Sequence, residues 1–224
     1  MVLVALACIV AGVWGFALLA DEVLEGGTQA FDQKLLLAFR HSDTRTPIGS
    51  PSIQEAARDI TALGGVAVLT LVTAIAAGFL ALDGKKHMAL FVCVAVLGGL
   101  ASGTVLKDLF QRPRPDLVPY SAYASGGSFP SGHSMISAVT YLTLGALLAR
   151  SQERKRLKAY FLLVAIFLTL AVGVTRVYLG VHWPTDVLAG WTAGAVWALL
   201  CWLTARRLQT RRTLEHESEQ PATG

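Results

Sequence analysis

The chain has 224 residues, of which 54% are hydrophobic and 15% are charged, and its formal net charge is +4. About a quarter of the residues of an ordinary soluble domain are charged, so this composition excludes that class and predicts an integral membrane protein. Three cysteines lie within apolar sequence, at Cys8, Cys93 and Cys201. Their odd number and position argue against a disulfide framework and a zinc site. We expect no metal, no cofactor and no nucleic-acid partner.

Six apolar segments approach or exceed the roughly 20 residues that a helix needs to cross a bilayer. We place them at 2–20, 61–82, 88–107, 133–149, 158–176 and 187–205. The first segment lacks the basic start of a signal peptide, so we interpret it as a retained helix rather than a cleaved leader. The predicted fold is all-α: an integral membrane six-helix bundle that forms one domain over 1–212. The polar tail, 213–224, is predicted to be disordered.

The connections between these segments alternate in charge. Basic residues cluster in the loops 83–87 and 150–158 and in the tail. The positive-inside rule places these clusters in the cytoplasm, so we expect an inner-membrane protein with both termini cytoplasmic. The connections 21–60, 108–132 and 177–186 then face the periplasm or exterior.

The first outward connection contains a helical pattern. Its apolar residues recur at helical spacing among charged ones: Phe31, Leu35, Leu36 and Phe39 among Asp32, Lys34 and Arg40. This pattern predicts a short amphipathic helix at the membrane interface between helices 1 and 2. The alternative is a loop that packs on the bundle.

The polar residues of the last four segments all fall at the outward end. They are Lys107, Arg112, Arg114, His133, Arg176, His182 and Asp186. Ionisable residues at helix ends in a membrane bundle are candidates for function. The alternatives to a functional role are a Lys107 that extends its ammonium group to the membrane surface and a structural ion pair between Arg176 and Asp186.

The stretch Ser128-Phe129-Pro130-Ser131-Gly132-His133 joins two apolar segments and predicts a helix start. Ser131 is a good N-cap, and Gly132 allows a ligand to approach the backbone. The N–H groups and positive dipole end of such a helix suit a phosphate. His133 would then stand beside that phosphate.

The remaining outward residues supply cations and a second imidazole. Arginine offers a planar fork that matches phosphate oxygens, and lysine supplies a compact charge. His182 precedes Asp186 by four residues, which places the carboxylate beside the imidazole if a helical turn forms there. A carboxylate on one ring nitrogen leaves the other free to attack. Two differently placed histidines suit a nucleophile and a general acid.

Three motifs occur in order: Lys107 with Arg114-Pro115, then Pro130-Ser131-Gly132-His133, then Arg176 with His182 and Asp186. Together they resemble the signature of the type 2 phosphatidic acid phosphatase family, the lipid phosphate phosphatases related to vanadium haloperoxidases. One departure is Thr175, where the family often has serine before the arginine. Only the motif interval selects Arg114 over Arg112, which we expect to contact substrate or to face lipid head groups.

The resemblance implies a role for each residue. His182 attacks phosphorus and forms a phosphohistidine, oriented by Asp186, while His133 protonates the leaving oxygen. The phosphate oxygens are bound without a metal by Lys107, Arg114, Ser131, Gly132 and Arg176. The expected partners are thus the bilayer and a lipid phosphate.

An outward site points to prenyl diphosphates such as undecaprenyl diphosphate as substrates, with phosphatidylglycerophosphate and phosphatidic acid as alternatives. A transporter or flippase that binds the head group without cleaving it is the alternative from another functional class.

Overall fold

The computed structural model describes residues 2–42, 46–116 and 126–219, with side chains described as far as Arg207. The regular secondary structure of these residues is helical, apart from one isolated bridge between Arg40 and Pro47. The helices are α1 (Val2–Leu24), α2 (Gln29–Leu37), α3 (Pro51–Ala62), α4 (Val66–Leu82), α5 (Lys86–Phe110), α6 (Gly132–Ser151), α7 (Lys155–Tyr178) and α8 (Pro184–Glu219). The prediction of an all-α protein is confirmed.

Five helices of the described chain are long and apolar enough to cross a membrane: α1, α5, α6, α7 and the part of α8 from Pro184 to Arg207. The helices α3 and α4 satisfy the same criterion only together, as a pair bent by 49°. The predicted segment 61–82 is broken near its start: the chain turns at Gly64 and Gly65, and α4 begins at Val66. A side chain at Gly64 would collide with Val172 of α7, so the glycine lets the turn between α3 and α4 pack against α7.

Helix α6 lies at the centre of the bundle. In the most apolar 18-residue stretch of α6, 61% of the residues are buried, because α5, α7 and α8 surround this helix. The corresponding share in α1 is 11%. Glycine permits the closest approach: a Cβ at Gly194 of α8 would lie 2.5 Å from the carbonyl oxygen of Met135. Close packing through small residues is expected where lipid replaces water around helices.

The outward connection 21–60 forms two helices, α2 and α3. The predicted helix exists as α2, but the residues that it buries differ from those that the amphipathic pattern predicts. Asp32 and Leu36 are fully buried, whereas Phe31 is 52% exposed. The pattern assigned Asp32 to the polar side, and the structure turns it inward, towards partners that are distant in the sequence.

One end of the bundle collects the loops that carry the motifs. The C-terminal ends of α5 and α7 and the N-terminal ends of α6 and α8 meet there. Phe129, just before α6, is fully buried. Its ring centroid lies 5.0 Å from that of Phe110 and 5.8 Å from that of Phe16. These aromatic contacts with α5 and α1 hold the loop that starts α6.

Helix α8 continues to Glu219 and so enters the predicted tail, 213–224. Residues 220–224 lie outside the described residues, and both the single domain over 1–212 and the disorder of the tail stay predictions. The three cysteines are free thiols.

Candidate active site

Ser131 caps α6, as the sequence predicts. Its Oγ accepts hydrogen bonds from the backbone N–H of Ser134, at 3.4 Å, and from Ser134 Oγ, at 2.9 Å. Its own N–H donates to the carbonyl oxygen of Asp186 at 2.9 Å. The start of α6 is therefore tied to the first turn of α8. The N–H groups of the first turn of any α-helix lack partners within the helix and can receive an anion.

Lys107 lies against the start of α6 from the last turn of α5. A Cβ at Gly132 would lie only 3.2 Å from Lys107 Nζ, so the glycine leaves room for the ammonium group. The charges of Arg114, Arg176 and Asp186 act on this lysine. The predicted cations therefore gather at the N-terminus of α6.

His133, the second residue of α6, is half-buried. A Cβ at Gly65 would lie 3.9 Å from His133 Nε2, so the break between α3 and α4 flanks the ring. Arg176, His182, Lys107 and Arg114 all lie within electrostatic reach of this imidazole. The two histidines of the sequence motifs thus belong to one cluster.

Arg114 lies in the non-helical stretch that follows α5. Its Nη1 donates to the carbonyl oxygen of Val181 at 2.9 Å, and its Nε donates to that of Gly126 at 3.2 Å. Burial lowers the pKa of the guanidinium, and the charge of Asp186 opposes the shift. Arginine keeps its charge in proteins, so the group remains a cation.

His182 lies in the turn between α7 and α8 and is 1% exposed. Its Nε2 is 3.2 Å from Arg114 Nη1, and its Nδ1 is 3.4 Å from Asp186 Oδ2. Arginine can only donate, so Nε2 must carry the lone pair and Nδ1 the proton. The two neighbours therefore select the tautomer whose Nε2 can act as a nucleophile.

Burial lowers the pKa of His182 from 6.5 to about 4. The Asp186 carboxylate, 3.4 Å from Nδ1, acts in the opposite direction, whereas Arg176 and Arg114 lower the pKa further. The imidazole is consequently neutral at neutral pH. A neutral imidazole with a lone pair directed at a guanidinium is chemically suited to nucleophilic attack on an anion held by that guanidinium.

Asp186 is held by the local structure at the start of α8. Pro184 is the first helical residue, and Asp186 Oδ2 accepts the N–H of Trp183 at 2.9 Å, as in a capping box. Among the described residues its ion pairs are with His182 and Arg112. The alternative of a structural pair with Arg176 is therefore wrong.

Arg176 is in the last turn of α7. Its Nη1 donates to Thr61 Oγ1 at 3.2 Å, which links α7 to α3. Its Nε is buried and has no hydrogen-bond partner in the described part of the chain. A buried donor of this kind costs free energy unless a partner such as a ligand oxygen satisfies it.

The sequence does not predict where two residues of this region lie. Arg112 neither faces solvent nor points at the cations; it bridges the carboxylates of Asp32 and Asp186, each at 2.7 Å. Asp32 is among the residues assigned to the polar face of α2. Its only sequence signal is its position four residues before the buried Leu36, which places both on one side of the helix.

Within the described ranges, no group of three or more His, Cys, Asp or Glu side chains comes together as metal ligands would.

The family model of the PAP2 superfamily matches residues 87–209, more than half of the chain. The Phosphatidylglycerophosphatase B of Bacillus subtilis is 32% identical over 186 residues, which cover 80% of this chain and 85% of the relative. An Undecaprenyl-diphosphatase of Sulfolobus acidocaldarius is 34% identical over 106 residues, or 46% of each chain.

A solved structure shares the fold. The crystal structure of a transmembrane PAP2 type phosphatidylglycerolphosphate phosphatase from Bacillus subtilis matches with a TM-score of 0.81 and 28% identity, over 89% of this chain and 96% of the other. These relatives are named as phosphatases, which favours catalysis over the transporter alternative. The chain therefore belongs to the PAP2 superfamily and is a phosphatase.

Proposed function

We propose that the chain is a lipid phosphate phosphatase in which His182 Nε2 is the nucleophile. The observation that supports this most strongly is the pair of contacts on the His182 ring. Asp186 faces Nδ1 at 3.4 Å, and Arg114 lies 3.2 Å from Nε2. Phosphate oxygens that bind Arg114 bring phosphorus to the lone pair of Nε2.

The reaction has two steps. In the first, Nε2 forms a bond to phosphorus, the bond to the lipid oxygen breaks, and His133 gives that oxygen a proton. In the second, His133 takes a proton from water, the resulting oxygen nucleophile attacks phosphorus, and the P–N bond breaks to release phosphate and His182. Asp186 stabilises the positive charge that His182 gains as a phosphohistidine.

Stabilisation of the transferring phosphoryl group needs positive charge around its oxygens. Lys107, Arg114 and Arg176 supply it, together with the N–H groups at the start of α6. In this proposal Ser131 fixes the N-terminus of α6, and Gly132 leaves space for the ligand. These charges act in place of a metal ion.

The arrangement in the membrane follows from the loop charges. We infer six spans, with α3 and α4 forming one bent span. The basic loop 150–158 joins the ends of α6 and α7 that lie away from the site. The positive-inside rule then places both termini in the cytoplasm and the site at the outer leaflet of an inner membrane. The substrate keeps its tails in the bilayer, and α2 lies at the interface.

Phosphatidylglycerophosphate is the first substrate to test, because the Bacillus subtilis relative that carries its name is matched over most of both chains. Undecaprenyl diphosphate and phosphatidic acid are the next two. They present the same terminal phosphate at head-group level but differ in tail and leaving group.

A phosphate-release assay across these three lipids in detergent tests the proposal. We expect release from at least one lipid, at least a thousandfold reduced in His182→Ala, as when a catalytic nucleophile is lost elsewhere. His87→Ala, an exposed histidine at the start of α5, is the matched control and keeps full activity. Lack of release from all three lipids, or full release by His182→Ala, would reject the proposal.

A further inference from the structure

Arg112 joins two elements that are distant in sequence. Its Nη1 donates to Asp186 Oδ1 at 2.7 Å and to Thr185 Oγ1 at 2.8 Å, and its Nη2 donates to Asp32 Oδ2 at 2.7 Å. The guanidinium carbon lies 5.6 Å from the centroid of the Trp183 ring. The side chain of Arg112 is only 13% exposed. A guanidinium held in this way is occupied by protein carboxylates and is not available to bind phosphate.

Asp32 reaches the same point from α2. It is fully buried, and its Oδ1 accepts the N–H of Thr185 at 2.9 Å. Its Oδ2 accepts Thr185 Oγ1 at 2.6 Å as well as Arg112 Nη2. Buried carboxylates are costly unless they are paired and hydrogen-bonded, and this one is both. Asp32 thus anchors the start of α8 from a helix that lies outside the family match, 87–209.

These contacts fix how the Asp186 carboxylate is turned. Arg112 holds Oδ1, and the Trp183 N–H holds Oδ2 on the side of His182. Without Arg112 the carboxylate can rotate about its χ2, a broad torsion. The second partner of Arg112, Asp32, in turn decides where the guanidinium lies. The geometry of the His182–Asp186 contact therefore depends on a residue that touches neither of them.

We propose that Asp32 and Arg112 form a positioning pair that keeps the Asp186 carboxylate facing Nδ1 of His182, an inference that rests on the function proposed above. The pair touches no substrate and acts through Asp186. It makes α2 part of the catalytic apparatus.

The pair also sets the charge near His182. Asp32, Arg112 and Asp186 together carry one net negative charge. The other charged or titratable groups that face the ring are Arg114, Arg176 and His133. Neutralising Asp32 leaves a neutral Arg112–Asp186 pair, so the imidazolium loses support and titrates at a lower pH. A carboxylate of Asp186 that turns away from Nδ1 acts in the same direction, so both effects of losing Asp32 lower the midpoint of His182.

The rate test uses Asp32→Asn and Arg112→Gln. We expect kcat to fall about tenfold in the first and about a hundredfold in the second, the range found when residues that orient a catalytic ligand are lost. We expect KM to stay within about twofold, because neither residue touches the substrate and the loss therefore falls on kcat. Glu25→Gln, an exposed carboxylate just before α2, is the matched control and keeps wild-type kcat.

The titration of His182 is followed by 15N NMR of histidine-labelled protein, with His182→Ala to assign its signals. We expect the midpoint to move down in Asp32→Asn by on the order of 0.5 pH unit. An unchanged or raised midpoint in Asp32→Asn would overturn the proposal. Because this readout needs only folded protein, it also covers a variant too slow to assay.

A double-mutant cycle shows whether Asp32 acts through Asp186. In an Asp186→Asn background, we expect Asp32→Asn to change kcat less than twofold, since the group that it positions is already impaired. A further tenfold loss would show an independent effect and overturn the proposal. Wild-type kcat in Asp32→Asn, with His182→Ala inactive, would reject the positioning pair alone. Full activity in His182→Ala would reject the nucleophile and the pair together.

Discussion

Nη1 of Arg114 lies 3.2 Å from Nε2 of His182, and this contact assigns the proton on the imidazole. Because arginine has no acceptor, the lone pair must be on Nε2, opposite the nitrogen that faces Asp186. The cation that would bind phosphate and the atom that would attack it are therefore adjacent.

Arg114→Lys tests whether the fork geometry matters. Lysine keeps the charge but cannot keep the separate contacts of Nη1 and Nε with Val181 and Gly126. We expect kcat/KM for lipid phosphate to fall about a hundredfold, the cost of about two charge-assisted hydrogen bonds. Arg150→Lys, at the exposed far end of α6, is the control and should leave kcat/KM unchanged. Equal kcat/KM in both variants would mean that Arg114 does not bind the phosphate.

The pH dependence of His182 follows from its burial. Since the folded-state pKa is lowered from 6.5 to about 4, the ring is neutral at pH 7 and becomes protonated only as the pH falls through about 4. Histidine 15N shifts in the ligand-free protein should report an Nδ1–H tautomer from neutral pH down to that midpoint. A midpoint near 6.5 would show that the ring is hydrated in solution. Shifts of the Nε2–H tautomer would contradict the Arg114 contact.

Gly190→Ala tests the close approach of α8 to the start of α6. The added Cβ would lie 2.6 Å from the carbonyl oxygen of Ser131, a backbone atom that cannot move without shifting α6. We expect a loss of about 1–3 kcal/mol of stability and reduced activity, as is usual for overpacking. Thermal unfolding in detergent measures the first and phosphate release the second.

Gly78→Ala is the control for that substitution. A Cβ at Gly78 meets no atom of the described residues within 4 Å, and alanine favours helix more than glycine does. The midpoint of unfolding should stay the same or rise. Similar losses in both variants would show that glycine flexibility, and not the contact between α6 and α8, matters.

Metal independence is tested with chelators. Because Lys107, Arg114 and Arg176 supply the positive charge in the proposed mechanism, we expect phosphate release to be unchanged by EDTA and by later addition of Mg²⁺. The lipid is presented in a neutral detergent so that the cation does not alter the micelle surface. Loss of activity in EDTA that Mg²⁺ restores would mean that a divalent ion takes part.

Local sequence rules account for several elements of the site. Ser131 caps α6 because serine before a helix accepts the free N–H groups of its first turn. His182 and Asp186 meet because the turn into α8 brings residues four apart together. The all-helical fold follows from the long apolar segments. Each of these relationships lies within a few residues, where spacing alone determines which side chains face each other.

Other features depend on contacts between distant parts of the chain. The amphipathic pattern of α2 assigns Asp32 to water, but its partners, Thr185 and Arg112, lie more than 70 residues away. Nothing near Arg112 in the sequence shows that it turns inward between two carboxylates. The turn at Gly64 likewise packs against Val172 of α7 and against the start of α6, which are both distant in the sequence. Propensity and periodicity do not contain this information.

The most direct measurement is to trap the phosphorylated enzyme. A lipid labelled with ³²P in its terminal phosphate is mixed with excess protein, quenched in alkali within one turnover, and the labelled peptide is sequenced. We predict an acid-labile, alkali-stable label on His182 that is absent from His182→Ala. Label on His133 or another residue, or single turnover with inversion at phosphorus and no labelled protein, would contradict the mechanism.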